Sequence, residues 1–145
     1  MPTFFLAGII QGSLTDDTMH AQDYRARIKA AITRAAPDAE VYCPIEHHPE
    51  SLAFDDDHAR SVFFDLMARA GKADVVVAFA PEASMGTAIE MWNAHRAGRV
   101  VLTVTPMATN WVVKFLSDRL FETLDDLEAF LAGDGLDALL DRTRR

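Results

Sequence analysis

The chain of 145 residues is half hydrophobic and one quarter charged, the balance of one globular domain and not of a disordered chain. Its 14 Lys and Arg against 22 Asp and Glu leave a net charge of −8, which repels a phosphate backbone and argues against a nucleic-acid polymer as partner. Cys43 is the only cysteine and no apolar run approaches the ~20 residues of a membrane span, so no disulfide, cysteine-based zinc site or membrane contact is expected, and a cytoplasmic location is.

Thr3 to Ile10 is a nearly continuous apolar run that predicts a strand buried on both faces, ending in the turn Gln11-Gly12-Ser13. It carries no positive stretch ahead of it and is not expected to be a signal peptide. From Met19 to Ala36, Tyr24, Ile28, Ala31, Ile32 and Ala35 recur at helical steps, with Arg25, Arg27, Lys29 and Arg34 mostly around that stripe and Pro37 stopping it. Glu40-Val41-Tyr42 predicts a brief second strand. Cys43 to Asp57 is the longest loop, and long loops are often functional. A helix follows over about His58 to Lys72, with Val62, Leu66, Met67 and Ala70 inward. Asp74 to Ala80 is the clearest strand. Gly86-Thr87 opens a helix to about Ala97, with Gly98 as its left-handed cap. Val100 to Thr105 is a fourth strand. Asn110 to Leu116 and Leu124 to Leu131 read as helices, Leu136 to Leu140 as one last turn, and Arg142, Arg144 and Arg145 as a solvated tail. Strands alternating with helices predict a parallel sheet in a single α/β domain.

In that architecture ligands lie beyond the carboxyl ends of the strands, at Gly8–Ser13 and Pro81–Glu90. The second loop brings a glycine, Gly86, and then a carboxylate, Glu90, to the start of a helix, whose positive end favours the ionised carboxylate. A carboxylate held so suits attack on a sugar anomeric carbon. The same Thr87-Ala88-Ile89-Glu90 also fits a capping box, in which Thr caps the helix and Glu reaches back. Both readings stand on spacing alone. Asp65, in the apolar stretch Val62 to Met67, is either a buried carboxyl with a raised pKa that protonates a leaving group or a solvent-facing residue between core positions. Asp74, at the wrong end of its strand for a ligand, is expected to cap a neighbouring backbone group.

Gly8, Ile10, Gly12 and Ser13 form a turn whose N–H groups and hydroxyl suit a phosphate. The turn is neither G-x-G-x-x-G nor a Walker loop, so no dinucleotide or triphosphate binding is expected. His47 and His48 lie near Glu46, Glu50, His58 and the Asp55–Asp57 run, but adjacent loop histidines rarely converge on one ion and no metal site is expected. Trp92, Trp111 and Phe115 read as core or interface.

At these residues the chain resembles the nucleoside 2-deoxyribosyltransferase family, which includes hydrolases that cleave the N-glycosidic bond of nucleoside 5'-monophosphates. The resemblance covers most of the chain in element order. It is carried by Phe5-Leu6-Ala7-Gly8 through Gly12-Ser13, by Asp65-Leu66, by Ala73 to Ala78, and by Ser84 to Met91. It implies one Rossmann-like, flavodoxin-like three-layer sandwich over 1–145 with a mostly parallel sheet of about five strands. By resemblance, Glu90 is the nucleophile of a covalent glycosyl–enzyme intermediate. Asp65 matches the carboxyl that contacts the sugar or protonates the base, and Asn110 the residue that a neighbouring subunit lends to the site in a homodimer or larger assembly. Phe5 stands where many members carry a tyrosine that orients the nucleophile. Ser84 stands where the hydrolases carry a serine for the 5'-phosphate, whereas Gln11 replaces an arginine that some of them use near it. Gly8, Ile10, Gly12, Ser13 and Gly86 complete the substrate contacts. No cofactor is implied.

The expectation is therefore an enzyme that hydrolyses a nucleoside monophosphate. A base-exchanging transferase is the neighbouring alternative, and a non-catalytic nucleotide-binding module is kept open by Phe5. The cytokinin-activating phosphoribohydrolases share the G-T-x-x-E segment, but the paired glycines expected ahead of it are missing here.

Overall fold

A computed structural model describes residues 1–15 and 18–144 of the chain; Arg145, at the end of the basic tail, lies outside the described residues. The apolar runs form five parallel strands, β1 (Thr3–Gly8), β2 (Glu40–Tyr42), β3 (Val75–Phe79), β4 (Val100–Val104) and β5 (Arg119–Phe121). Their order in the sheet is β2-β1-β3-β4-β5. Phe5 is level with Tyr42 on one side and Val76 on the other, and Gly8, Phe79 and Val104 lie in one row at the carboxyl end. The chain winds from β1 outward to β2 and then returns across β1 to β3, so the topological switch point, where a crevice opens beyond the strand ends, falls between β1 and β3.

Side chains alternate along a strand, and the sheet accordingly divides its apolar residues between two cores. Phe4, Leu6, Val75, Val77, Val100 and Leu102 point to the face covered by α1 (Tyr24–Ala35), α6 (Leu124–Ala132) and α7 (Gly135–Thr143). Phe5, Ala7, Val76, Ala78 and Val101 point to the other, covered by α3 (Asp56–Lys72), α4 (Met85–Arg96) and α5 (Trp111–Leu116). This is the three-layer, flavodoxin-like sandwich expected from the element order.

Several boundaries differ from those read off the sequence. β1 ends at Gly8, although the N–H of Ile9 still donates to the carbonyl of Phe79 at 3.1 Å. The first helix starts at Tyr24 and not near Met19, because the preceding residues are tied back to the loop after β1. The His20 N–H donates to the Ile10 carbonyl, and the Gln22 side-chain amide donates to the carbonyls of Ile9 and His20. The long loop holds a short helix, α2 (Pro44–His47), and a 3₁₀ turn at Ser51–Ala53. The Asp55 side chain accepts from the His58 N–H at 2.8 Å and starts α3 two residues earlier than expected. β5 is a strand that the sequence does not signal: it is three residues long, and its first, Arg119, is charged and exposed. Leu136 to Leu140 belong to a helix of nine residues. Gly98, at φ 70°, takes the left-handed position predicted after α4. Asp74 is structural as expected, its carboxylate accepting from the Thr3 N–H at 2.9 Å and from the Thr3 hydroxyl at 3.1 Å. Among the described residues no helix is long and apolar enough to cross a membrane.

Candidate active site

At the switch point the end of β1, the start of α1 and the first turns of α4 come together. Gly8 closes β1 where only hydrogen fits, since a Cβ there would lie 2.2 Å from the Tyr24 hydroxyl. That hydroxyl donates to the Ile9 carbonyl at 3.0 Å, and the ring stacks on Phe79 at 4.2 Å. Gly12 adopts φ 59°, the left-handed region that L side chains rarely enter, and turns the loop back toward His20. His20 Nε2 lies 3.1 Å from the Glu82 carboxylate, so the loop after β1 touches the loop after β3.

Glu90 stands on α4, which packs against β1 and β3. Its residue is 9 % exposed, and Oε2 has no hydrogen-bond partner among the described residues. Burial pushes its carboxyl up to about 8, against the opposing pull of the Arg25 guanidinium. The capping-box reading is overturned here. Ser84, not Thr87, caps α4: its Oγ accepts from the Thr87 N–H at 3.4 Å and shares a 2.9 Å hydrogen bond with the Thr87 hydroxyl. With the cap moved three residues back, Glu90 falls in the second turn with its side chain buried, and the helix end does not neutralise it.

Arg25, placed by periodicity on the solvated rim of its helix, is 4 % exposed. Its guanidinium donates to the carbonyls of Leu6 and Gly8, both at 3.1 Å, and to Gln22 Oε1 at 2.8 Å. No pattern in the sequence separates it from Arg27, which faces outward to Asp125 and Glu128. Tyr24 is raised above the ordinary tyrosine range, by burial first, with Glu90 adding to the rise and Arg25 opposing it. Tyr24, Arg25 and Glu90 are all buried, and the first two are hydrogen-bonded to the backbone at the end of β1 and just beyond it.

The other residues singled out in the sequence divide. Ser84 and Asn110 line one mostly apolar cavity of about 180 Å³ with Thr87, Met91, Met107 and Val113. Asn110 also caps α5, accepting from the Val112 N–H at 3.0 Å. Gly86 opens on free space, with nothing within 4 Å of a built Cβ. Ile10 is half-buried and Ser13 exposed, both on the loop after β1. Phe5 does not offer a ligand contact: it is 0 % exposed and stacks on Tyr42 in the core beneath α3 and α4. Asp65 is not a buried carboxyl. Half of its side chain is exposed, and it is paired with Arg69 one turn later at 2.7 Å, because the apolar neighbours Phe63 and Phe64 themselves face outward. Among the described residues no group of three or more His, Cys, Asp or Glu is placed to hold a metal ion; His47 instead stacks on Tyr42, and His58 on Phe54.

No family model and no curated protein matches the chain. Solved structures do. A 2-deoxyribosyltransferase from Bacillus psychrosaccharolyticus is 20% identical, with 89% of this chain and 95% of that one covered at a TM-score of 0.63. A conserved protein from Enterococcus faecalis V583 is 18% identical, with 90% and 97% covered at 0.61. A CMP N-glycosidase from Clostridium botulinum is 14% identical, with 89% and 96% covered at 0.52. At these identities the likeness is one of fold: the chain shares the sandwich of these structures.

Proposed function

We propose that the chain hydrolyses the N-glycosidic bond of a nucleoside 5'-monophosphate by double displacement at Glu90. The observation that carries this reading is the Glu90 carboxyl itself, buried at the switch point with Oε2 unpartnered among the described residues. Leaving such a group unsatisfied costs about 1–3 kcal/mol, and groups of that kind collect where a reaction needs them. In the first step a Glu90 oxygen bonds to the anomeric carbon, the bond from that carbon to the base nitrogen breaks, and the base leaves with the electron pair and takes up a proton. In the second, water attacks the same carbon, the ester bond to Glu90 breaks, and the carboxylate is restored as the water's proton goes to solvent. A 2-deoxyribosyltransferase and a CMP N-glycosidase on the same fold support the class of bond. Asp65, exposed and ion-paired, is given no step.

The 5'-phosphate fits the amino end of α4, a helix of twelve residues whose first N–H groups and Ser84 hydroxyl are neutral donors. A charge-assisted hydrogen bond there contributes roughly 1.5–3 kcal/mol, or about one to two decades in affinity. Incubation with a panel of nucleosides and their 5'-monophosphates, with and without a free acceptor base, tests the assignment. Free base released from monophosphates, unchanged by the acceptor and lost in Glu90→Gln, is the expected result. Equal kcat/KM for a nucleoside and its monophosphate, with transfer to the added base, would replace the hydrolase by the transferase.

The active unit is proposed to be an assembly of at least two copies. Trp111 is 77% exposed and its ring lies beside that of the exposed Phe115, and aromatic residues are enriched at interfaces. In mixtures of Glu90→Ala and Asn110→Ala subunits that demonstrably exchange, regained activity supports a shared site. Full activity of a monomer in sedimentation would reject it.

A further inference from the structure

Helix α4 is apolar on two sides. Its inward side buries Thr87, Glu90, Met91 and Ala94. Met85, Ile89 and Trp92 recur at steps of four and three on the opposite side, and Arg96 continues the row. The three apolar residues are 81%, 42% and 49% exposed. A helix apolar all round belongs inside a structure, and this one has solvent where a second layer would cover it. The neighbouring helices extend the patch: Phe64 on α3 and Trp111 and Phe115 on α5 are exposed as well. On the other face of the sheet, among the described residues, α1, α6 and α7 expose no large apolar side chain. The four aromatic side chains alone expose on the order of 500 Å², and Met85 and Ile89 bring the patch near the ~800 Å² that each partner of a standard interface buries.

We propose that this surface is where a second copy of the chain docks, α4 packing antiparallel on the same helix of the partner about a two-fold axis. This rests on the reading of an assembly given above and supplies its face and orientation. Three features select a second copy. The spacing of Met85, Ile89 and Trp92 makes a ridge of the kind that packs on another helix, and in a two-fold pair the partner offers the same ridge. The chain carries a net charge of −8, so two copies repel at long range, but the row holds no carboxylate: Glu90, the acidic residue of α4, is buried on the inward side. The antiparallel sense also sets unlike ends together. Arg96 closes the row at the carboxyl end of α4, and the half-exposed Glu82 lies just ahead of its amino end. Each copy thus brings Arg96 toward the partner's Glu82, and the negative end of each helix meets the positive end of the other.

Sedimentation of the whole protein at micromolar concentration reads the outcome, with circular dichroism as the check of folding. The wild type should be a dimer. Ile89→Lys buries a charge from each copy in the interface and should weaken association at least tenfold. Met85→Lys, at a side chain already in solvent, should do the same, and it decides the matter if Ile89→Lys does not fold. Arg96→Glu should weaken association too, and Glu82→Arg added to it should restore the dimer; failure of that rescue overturns the antiparallel pairing. A dimer that persists undiminished in folded Met85→Lys overturns the docking of α4. If Trp111→Lys then dissociates that dimer, the assembly reading stands and the pairing of α4 falls. A wild type that sediments as a monomer overturns both, whatever else the patch binds.

Discussion

Replacing Glu90 by Gln tests the burial of this carboxyl through stability alone. In the folded chain burial holds the proton up to about 8, whereas an unfolded glutamate releases it near 4.3. Between those values the folded state keeps a proton that the unfolded state has lost. The unfolded chain binds fewer protons there, so wild-type stability falls as pH rises from about 4 to about 8 and levels off above. Glutamine has no proton to lose, fills nearly the same volume and leaves other titrations in place. Integrating the difference between about pH 5 and about pH 9, the wild type should lose on the order of 4 kcal/mol relative to Glu90→Gln. Urea unfolding of both proteins at the two pH values gives that quantity as a difference of differences, free of most shared error. Glu90→Gln should therefore be the more stable protein in alkali and close to the wild type in acid. A stability gap that stays constant with pH would mean that Glu90 titrates as an exposed carboxyl, and its burial on α4 would be refuted.

Two further substitutions probe the frame that holds the site. Gly8→Ala places a methyl 2.2 Å from the Tyr24 hydroxyl, which is itself fixed on the Ile9 carbonyl, and should cost about 1–3 kcal/mol by overpacking; denaturant unfolding that shows no loss would remove the close approach of α1 to β1. Asp74→Ala strips the Thr3 N–H and hydroxyl of their acceptor and should cost about 1.5–3 kcal/mol, with faster hydrogen exchange at the Thr3 amide as its local mark. An unaltered melting temperature and exchange rate would show that water replaces the carboxylate there.

The strands and the order of layers were legible because their cause is local. β3 is a β-branched run buried on both faces, and such a run has no other stable use than the middle of a parallel sheet. The stripe Tyr24, Ile28, Ala31 and Ile32 is one face of a helix by period alone, and those four residues are buried against the sheet as the period requires. The Glu90 segment was legible as a site by its place after β3, since the architecture puts ligands at that end. Sequence could not choose between nucleophile and cap. Ser84 and Thr87 both have the chemistry of a cap, and which one serves depends on where the loop delivers the chain to α4.

The rest was decided by packing between elements far apart in the chain. Arg25 and Arg27 are alike in residue type and two positions apart, yet one is enclosed by the carbonyls of Leu6 and Gly8 and the other reaches Asp125 and Glu128 on α6. Asp65 sits in an apolar stretch that α3 turns outward, so its burial failed where its neighbours were expected to provide it. Phe5 is in the first strand of the motif, but the pleat aims its ring into the core beneath α3 and α4 and away from the crevice. The sequence by itself determined the periods, the turns and the kinds of group available, because each depends on residues close in the chain. Which cation and which carboxyl are buried depends on how α1 and α4 pack on the sheet, where contacts between distant parts of the chain set the desolvation and no spacing records them.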